Sequence, residues 1–302
     1  MSGGTDNNDA PEYVQRLIQE GNPLGEKIWD QMRKAKQVRD PQSMPHTKPP
    51  QSVEQLTLPG VVPKTPGETS PLSNYLARTP LFSPIKRGRR AMLDKQRLPS
   101  PGGFSVHYSG KQLDMGDQDV FLLAVKMAAG KAPGENIGIR RVDFLRDLGW
   151  KGQGATAYKW LAEVFERLST GRVFLESDRI KASLPLLGAL ILNKDTGVYA
   201  FSIPKETMAI FAGQAFGYIN LRPRLALERR KDLAKWIQGY AMSHKAGVHL
   251  VSLQNLLSWS GYQGRMRDFR AGLKEALDEL KRVAVLQEWV FKDRQKKVSW
   301  TR

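Results

Sequence analysis

Residues 250–280 read LVSLQNLLSWSGYQGRMRDFRAGLKEALDEL, and the architecture of the second half of the chain can be worked out from this stretch. It predicts a short helix over 251–259, a glycine-containing turn over 260–264 and a longer helix over 265–283. The flanking sequence predicts one long helix at 224–244 and a terminal hairpin, with strands at 285–292 and 296–301 around DRQ. This is the order of elements in a helix-turn-helix followed by a wing.

The helix at 265–283 sorts its side chains by chemistry when they are spaced at about 100° per residue. One face is apolar, and the acidic side chains share one shoulder of the helix. Like-charged neighbours on a helix cost about 0.2–0.5 kcal/mol per pair, so a purely solvated face would mix its signs. The sorting therefore favours a surface for phosphates and base edges in a DNA groove. The apolar stripe is Met266, Phe269, Leu273, Ala276, Leu277, Leu280 and Val283; the basic shoulder is Arg267, Arg270, Lys274 and Lys281; the acidic shoulder is Asp268, Glu275, Asp278 and Glu279.

The hairpin after this helix is basic at its tip. A wing in this position lies beside the groove that the helix enters, where cations meet phosphates. A solvated tip explains any single lysine equally well. The candidate DNA-contacting residues of the tip are Lys292, Arg294, Lys296 and Lys297.

The first half repeats the order of elements without clear sequence identity. We expect a strand at 104–108, helices at 117–129, 140–148 and 155–169, and strands at 172–175, 184–192 and 198–203. The sequence thus predicts an α+β chain with tandem winged-helix domains at 102–203 and 204–302. The helix at 155–169 has an outer face of mixed charge, at Thr156, Lys159, Glu163, Glu166 and Arg167. Its first turn can contact DNA through Gln153, Thr156 and Lys159, and a packing role is equally compatible with the pattern.

Proline marks the start of the folded part, because 14 of the 18 prolines lie in residues 1–101. Proline removes backbone donors and disfavours packed helices and central strands, so we expect a mostly disordered region there. Two islands stand out within it: a helical pattern at 11–39 and the basic run at 86–90 within SPIKRGRR (83–90). The run fits a contact with the DNA backbone or a nuclear localisation signal.

The charge balance points to a polyanionic partner. Lys and Arg number 47 against 30 Asp and Glu, a net charge of +17. Residues 101–203 hold 13 basic and 11 acidic residues, whereas residues 204–302 hold 19 and 9. The excess is therefore concentrated in the half that carries the basic helix, which favours nucleic acid over a membrane surface.

Other classes of protein lose support from the same composition. The chain has no cysteine, which excludes disulfide frameworks, thiol nucleophiles and cysteine-ligated metals. We expect a cytoplasmic protein, because no apolar stretch approaches membrane-spanning length and no signal peptide opens the sequence.

Catalytic patterns are absent from the sequence. Gly152, Gly154 and Ala157 match G-x-G-x-x-A but follow a predicted helix rather than the strand that dinucleotide binding requires. The four histidines (His46, His107, His244 and His249) have no metal-binding spacing, and the last two fit cap or core roles. We expect no metal, no cofactor and no enzymatic activity.

QLTLPG at 55–60 is an apolar segment within the polar N-terminal region. Such a segment can bind a partner in extended form, with Gln55 hydrogen bonding and Leu56 and Leu58 filling a pocket. A match to a five-residue motif also arises easily by chance.

Several phrases of the sequence resemble plasmid replication initiators of the TrfA type. They are VYAFSIPKETMAIFAG (198–213), LVSLQNLLSWSGYQGRMRDFRAGLKEALDEL (250–280) and AVLQEWVF (284–291) in the second half, with FSVHYSGKQLDMGDQDVFLLAV (104–125) and VDFLRDLGWKGQGATAYKWLAEVFERLS (142–169) before them. The resemblance covers residues 78–302. It implies two winged-helix domains that bind directly repeated origin sites called iterons. It also implies opening of adjacent AT-rich DNA, with single-stranded AT-rich DNA as a further ligand, and recruitment of the host helicase.

The resemblance also assigns residues. It places the DNA-reading helix of the second domain at 264–283, with Arg265, Arg267, Arg270 and Lys274 in contact with DNA, and that of the first domain at 154–169. It implies monomer–dimer self-association through the first domain, for which we expect the strand at 184–192. QLTLP (55–59) is similar to the family's sliding-clamp-binding pentapeptide Gln-Leu-Ser-Leu-Phe, although Pro59 replaces the aromatic residue.

Two other functions share these features. A winged-helix transcriptional regulator would bind an inverted repeat as a dimer, without opening DNA. A tyrosine nickase would cut supercoiled plasmid in the presence of magnesium, but the paired histidines that hold its metal are missing.

Overall fold

The computed structural model describes residues 11–21, 23, 26–30, 61–85, 88, 90–152, 154–178, 181–228 and 231–302. Residues 1–56 and 57–302 form two compact units. In the first unit, helix α1 spans Glu12–Gln19, and residues 26–30 are also helical. Val14 and Trp29 are buried against each other, with Ile18 and Ile28 packed beside them. These helical residues lie within the range 11–39 that the sequence singles out.

The second unit mixes helices and strands along its whole length, as the predicted α+β class requires. Its elements up to residue 203 are β1 (Thr69–Ser73), α2 (Asn74–Ala77), β2 (Phe82–Ser83), β3 (Met92–Leu98), β4 (Phe104–Lys111), β5 (Leu113–Asp114), α3 (Met115–Met127), β6 (Ile137–Arg140), α4 (Arg141–Asp147), α5 (Ala155–Thr170), β7 (Arg172–Ser177), β8 (Lys181–Pro185), β9 (Ile191–Asn193) and β10 (Val198–Phe201). After these come a 3₁₀ helix (Glu206–Gln214), β11 (Phe216–Asn220), α6 (Leu221–Leu225), α7 (Asp232–Met242), β12 (Val248–Ser252), α8 (Leu253–Ser260), α9 (Met266–Arg282), β13 (Glu288–Lys292) and β14 (Lys297–Thr301).

The two halves share one topology. In the first, β6 precedes the helix pair α4–α5, and the sheet order is β6-β10-β9. In the second, β12 precedes the helix pair α8–α9, and the sheet order is β12-β14-β13. In each sheet the last strand lies in the middle, and all its pairings are antiparallel. The sequence predicts the terminal hairpins but not the short strands β6 and β12, which pair with β10 and β14, far along the chain.

The first half carries an additional sheet of four strands in the order β3-β4-β7-β8. Strand β1 pairs with β11, so residues 69–73 near the start of the second unit lie beside residues 216–220 of the second half. The long apolar core runs through both halves and includes Phe121, Phe165 and Trp236. The two halves are therefore continuous in packing.

The prediction that residues 61–101 lack regular structure is wrong. Leu72, Leu76 and Phe82 are buried, and β1, β2 and β3 all lie in this proline-rich stretch. Pro71 is tolerated because β1 has a partner on one side only, so the missing N–H breaks no second ladder. Long-range burial thus outweighs the local proline signal.

The long helix predicted at 224–244 is also wrong, because α6 ends at Leu225 and α7 begins at Asp232. A tertiary contact holds the connection open. Glu279 accepts a hydrogen bond from the backbone N–H of Glu228 at 2.7 Å, and Arg282 donates to the carbonyl of Ala226 at 2.8 Å. Backbone groups that a continuous helix would use internally are instead paired with α9.

The strand predicted at 184–192 divides into β8 and β9, separated by residues 186–190. Leu186 and Leu187 are buried in this interval, and the Leu187 N–H donates to the carbonyl of Leu168 at 3.1 Å. Gly188 lies close to β10, since a Cβ there would come within 2.5 Å of the Ser202 hydroxyl. The segment therefore packs on α5 instead of continuing the sheet.

Candidate nucleic-acid interface

The apolar stripe of α9 lies as the sequence predicts. Phe269, Leu273, Ala276, Leu277 and Leu280 are all buried, while Met266 and Val283 at the two ends are partly buried. Burial of this face fixes the helix's rotation about its axis, so Arg267 and Lys274 of the basic shoulder point away from the core. Arg267 and Lys274 are 89% and 65% exposed at their side chains, and Arg265 precedes the helix as its N-cap.

The carboxylates of α9 are mostly engaged by partners outside its basic shoulder. Glu275 pairs with Lys231 at 2.9 Å, and Asp278 accepts a hydrogen bond from the indole N–H of Trp289 at 3.1 Å. Glu279 pairs with Arg282 at 2.6 Å. Within the described residues, Arg267 and Lys274 of the basic shoulder have only distant carboxylate contacts, to Asp268 and Asp278 respectively, both at 3.6 Å.

Helical spacing predicts Glu279 on the acidic shoulder with Asp268, Glu275 and Asp278, and in the structure this side chain is buried at 6% exposure. The hydrogen bond from Arg282 lowers its pKa to about 2, with a further contribution from the Glu228 N–H. Hydrogen bonds to the ionised form favour that form, so Glu279 stays charged at neutral pH. Its role is to fix the α6–α7 connection.

Arg265 and Arg270 have no carboxylate within 4 Å among the residues that the structure describes. Arg270 is half-buried, and its Nε is buried without a hydrogen-bond partner in the described part of the chain. Both guanidinium groups can therefore accept an external anion without breaking an ion pair. Lys281 differs, because it pairs with Glu288 of β13 at 2.9 Å.

The tip of the β13–β14 hairpin is a tight turn of three residues in the left-handed region. Asp293, Arg294 and Gln295 have φ of 49°, 52° and 65°. Lys292 and Lys297 face each other across β13 and β14, and Lys297 pairs with Asp293 at 2.6 Å. Lys292, Arg294 and Lys296 are exposed, so the tip presents cations to solvent as the sequence predicts.

In the first half, Thr156 and Lys159 are exposed on the first turns of α5, and Gln153 lies outside the described residues. Arg167 was expected on the outer face of α5, but it is buried and donates to Asp117 at 2.7 Å. Desolvation raises the pKa of Asp117, while the hydrogen bond and charge of Arg167 act in the opposite direction. The guanidinium of Arg167 therefore pairs with a buried carboxylate and is not available for contact with DNA.

One feature of the first half escapes sequence analysis. The guanidinium carbon of Arg141, at the start of α4, lies 4.0 Å from the centroid of the Tyr158 ring on α5. The two residues are 17 positions apart and on different helices, so no local pattern in the sequence connects them.

The basic run at 86–90 is only partly described. Arg90 pairs with both Asp114 and Asp117, the latter at 2.9 Å, and its side chain is 19% exposed. It therefore supports the capping of α3, whose N-cap is Asp114. Lys86, Arg87 and Arg89, like the QLTLP motif with Gln55, Leu56 and Leu58, lie outside the described residues.

Metal and membrane sites find no support in the described part of the chain. It contains no group of three or more His, Asp and Glu side chains that could hold a metal ion. None of its helices is long and apolar enough to cross a membrane.

His244 contacts the Tyr240 carbonyl through Nδ1 at 2.8 Å, and burial lowers its pKa, which fits the predicted helix-end role.

The fold and the basic helix can be compared with known proteins. The chain belongs to the TrfA protein family of plasmid replication initiators, whose model matches residues 21–297. A crystal structure of domains 2 and 3 of RctB is similar in fold, with a TM-score of 0.50 at 13% identity over 76% of this chain and 97% of that chain. Another crystal structure of RctB domains 2–3 gives a TM-score of 0.47 at 14% identity, over 76% and 95% of the two chains. No curated protein matches the chain.

Proposed function

We propose that this initiator is a non-catalytic, sequence-specific DNA-binding protein that binds iterons at a plasmid origin in the bacterial cytoplasm. The observation that carries the proposal is the division of charge on α9. Its apolar face is buried, three of its carboxylates have close partners outside the basic shoulder, and Arg265, Arg267, Arg270 and Lys274 remain on or beside the outward face. Arginine suits this position because its planar fork can contact a guanine edge through two hydrogen bonds.

The topology of the two halves supports two winged-helix modules, 102–203 and 204–302, with β2 and β3 paired to strands of the first and β1 paired to β11 of the second. In each module a helix pair is followed by a hairpin whose last strand pairs with the strand before the helices. This order supports the proposal of a helix for the major groove next to a wing for the adjacent phosphates. α9 and the hairpin β13–β14 fill these roles in the second module, and α5 and the hairpin β9–β10 fill them in the first.

Beyond site recognition, we infer that the protein helps to open adjacent AT-rich DNA and recruits the host helicase and sliding clamp. Family membership supports opening and recruitment. The QLTLP motif supports clamp binding through Gln55, Leu56 and Leu58. Self-association between monomer and dimer belongs to the same proposal.

The test is binding to duplexes taken from the DNA that flanks the gene. We expect nanomolar-range affinity for a duplex with tandem repeats, about a thousandfold tighter than for a scrambled duplex of equal length. Equal affinity for both duplexes would contradict the proposal. Preference for a single inverted repeat would instead support the alternative, a dimeric winged-helix regulator.

A further inference from the structure

Arg141 joins three elements of the first half. It is the first residue of α4, its guanidinium lies over the Tyr158 ring of α5, and its backbone N–H donates to the Gly197 carbonyl at 2.9 Å. Gly197 ends the turn between β9 and β10 with φ of 67°, and a Cβ there would lie 3.4 Å from Arg141 Nε. The side chain therefore occupies the corner between the wing turn and the exposed start of α5.

Its neighbours show why this cation differs from the others nearby. Arg140 pairs with Asp143 at 2.6 Å, and Arg146 pairs with the same carboxylate at 2.8 Å. Within the described residues, Arg141 has no carboxylate within 4 Å, and its guanidinium lies over the face of an aromatic ring. A cation over a tyrosine ring is held in place without being neutralised.

The second half has the same junction with different chemistry. The N–H of Leu253, the first residue of α8, donates to the wing-turn carbonyl of Lys296 at 3.0 Å. Leu253 is buried at 2% exposure, so it offers no charge. There the cations lie on or beside α9 itself, whereas α5 has Lys159 as the exposed cation of its first turns. The guanidinium of Arg141 at the junction therefore adds a positive charge beside the first turns of α5, where Lys159 is the exposed cation.

We propose that Arg141, positioned by Tyr158, forms a second phosphate-binding site for duplex DNA together with the exposed Lys194 of the turn that ends at Gly197. This inference rests on the proposed function, because the same duplex would contact α9 with its other segment. The ligand group is the phosphate backbone and not a base edge: the site lies at the junction of helix and wing, where backbone contacts position a winged helix. Stacking on the ring limits the freedom that the guanidinium loses on binding.

The experiment measures duplex binding by the full chain at several salt concentrations. Arg141→Gln removes the charge but keeps the backbone bond to Gly197, and Arg140→Gln is the matched control on the adjacent residue. We expect Arg141→Gln to weaken binding about tenfold and to reduce the slope of log affinity against log salt by about one. Arg140→Gln should leave both unchanged.

Two tyrosine variants test the stacking. Tyr158→Phe keeps the ring and should bind as the wild type does, whereas Tyr158→Leu should approach Arg141→Gln. Ethylation interference then maps the phosphates that each variant contacts. Ethylation of one group of phosphates should weaken binding of the wild type but not of Arg141→Gln. A separate group of phosphates should behave in this way for Lys274→Ala.

The outcomes separate the two levels of the proposal. If Arg141→Gln and Arg140→Gln bind alike while Lys274→Ala is weakened, the second site is overturned and the function stands. If all three bind like wild type, the function itself fails. A lower thermal midpoint for Arg141→Gln with an unchanged salt slope would show a structural role and would also overturn the site.

Discussion

Arg224 donates from Nε to the carboxylate of Asp119 at 2.6 Å, and this contact joins α3 of the first half to α6 of the second. The same guanidinium donates to the side-chain oxygens of Gln118 at 2.6 Å and Gln238 at 3.2 Å. Lys235 of α7 also contacts Asp119. Burial alone would raise the pKa of Asp119, but the charges of Arg224 and Lys235 outweigh it and lower the pKa. Both helix bundles are thus held by one buried polar cluster.

Removing one charged partner of this buried polar cluster should lower the stability of the protein. Arg224 is 1% exposed, so Asp119→Ala would leave a buried guanidinium without its counterion. We expect a loss of about 3–5 kcal/mol in the free energy of unfolding, measured by urea denaturation. The double variant Asp119→Leu with Arg224→Met should recover much of that loss. A loss below about 1 kcal/mol for Asp119→Ala would contradict the account.

The α6–α7 connection should respond to acid through Glu279. Its pKa is lowered in the folded state to about 2 from 4.5, so its contribution to stability is present above pH 4.5 and is lost as the pH falls towards 2. Glu279→Gln should therefore be less stable than the wild type at pH 7. The difference should shrink steadily between pH 4.5 and 2 in a series of thermal melts. A constant difference across that window would show that ionisation of Glu279 plays no part.

Gly217 of β11 should tolerate no side chain. A Cβ at this position would lie 2.0 Å from the Met242 carbonyl oxygen at the end of α7. Backbone atoms cannot move aside as a flexible side chain does, so Gly217→Ala should destabilise the protein by about 1–3 kcal/mol. Gly138→Ala is the control, because the nearest atom, in Val198, is 3.9 Å away. Equal melting temperatures for the two variants would contradict the packing described for β11 and α7.

The QLTLP motif should act independently of duplex binding. Changing Leu56 and Leu58 to Ala should abolish binding to the bacterial sliding clamp in a pull-down with purified proteins, while binding to duplex repeats stays the same. Pro59→Phe would complete the aromatic position of the motif and should strengthen clamp binding. Equal retention of the clamp by the wild type and the double Ala variant would remove the motif from the account.

Helical periodicity and turn residues are enough to predict elements whose formation depends on neighbouring residues in the sequence. The apolar stripe of α9, including Phe269 and Leu273, and the terminal hairpin were predicted within a few residues of their observed bounds. The elements that were missed depend on distant partners. β12 pairs with β14 at the other end of the module, and Glu279 interrupts the helix predicted at 224–244.

The candidate site shows the same division. Periodicity was enough to place Arg267 and Lys274 on an exposed shoulder of α9. It placed Arg167 on the outer face of α5, although Asp117, 50 residues away, holds this guanidinium in the core. The contact between Arg141 and Tyr158 has no periodic signature, because it depends on how two helices pack. Helix faces are therefore predictable from one sequence, whereas the partner that engages each charge is not.

If the basic shoulder of α9 contacts DNA, Lys274→Ala should weaken duplex binding. Lys181→Ala is the control, since this lysine is 81% exposed on the sheet of the first half and pairs with Glu176. Fluorescence anisotropy with a labelled duplex of tandem repeats, at salt concentrations from about 50 to 200 mM, gives affinity and salt slope together. We expect Lys274→Ala to bind more weakly and to lower the slope by about one, while Lys181→Ala matches the wild type. Unchanged affinity and slope for Lys274→Ala would contradict the claim.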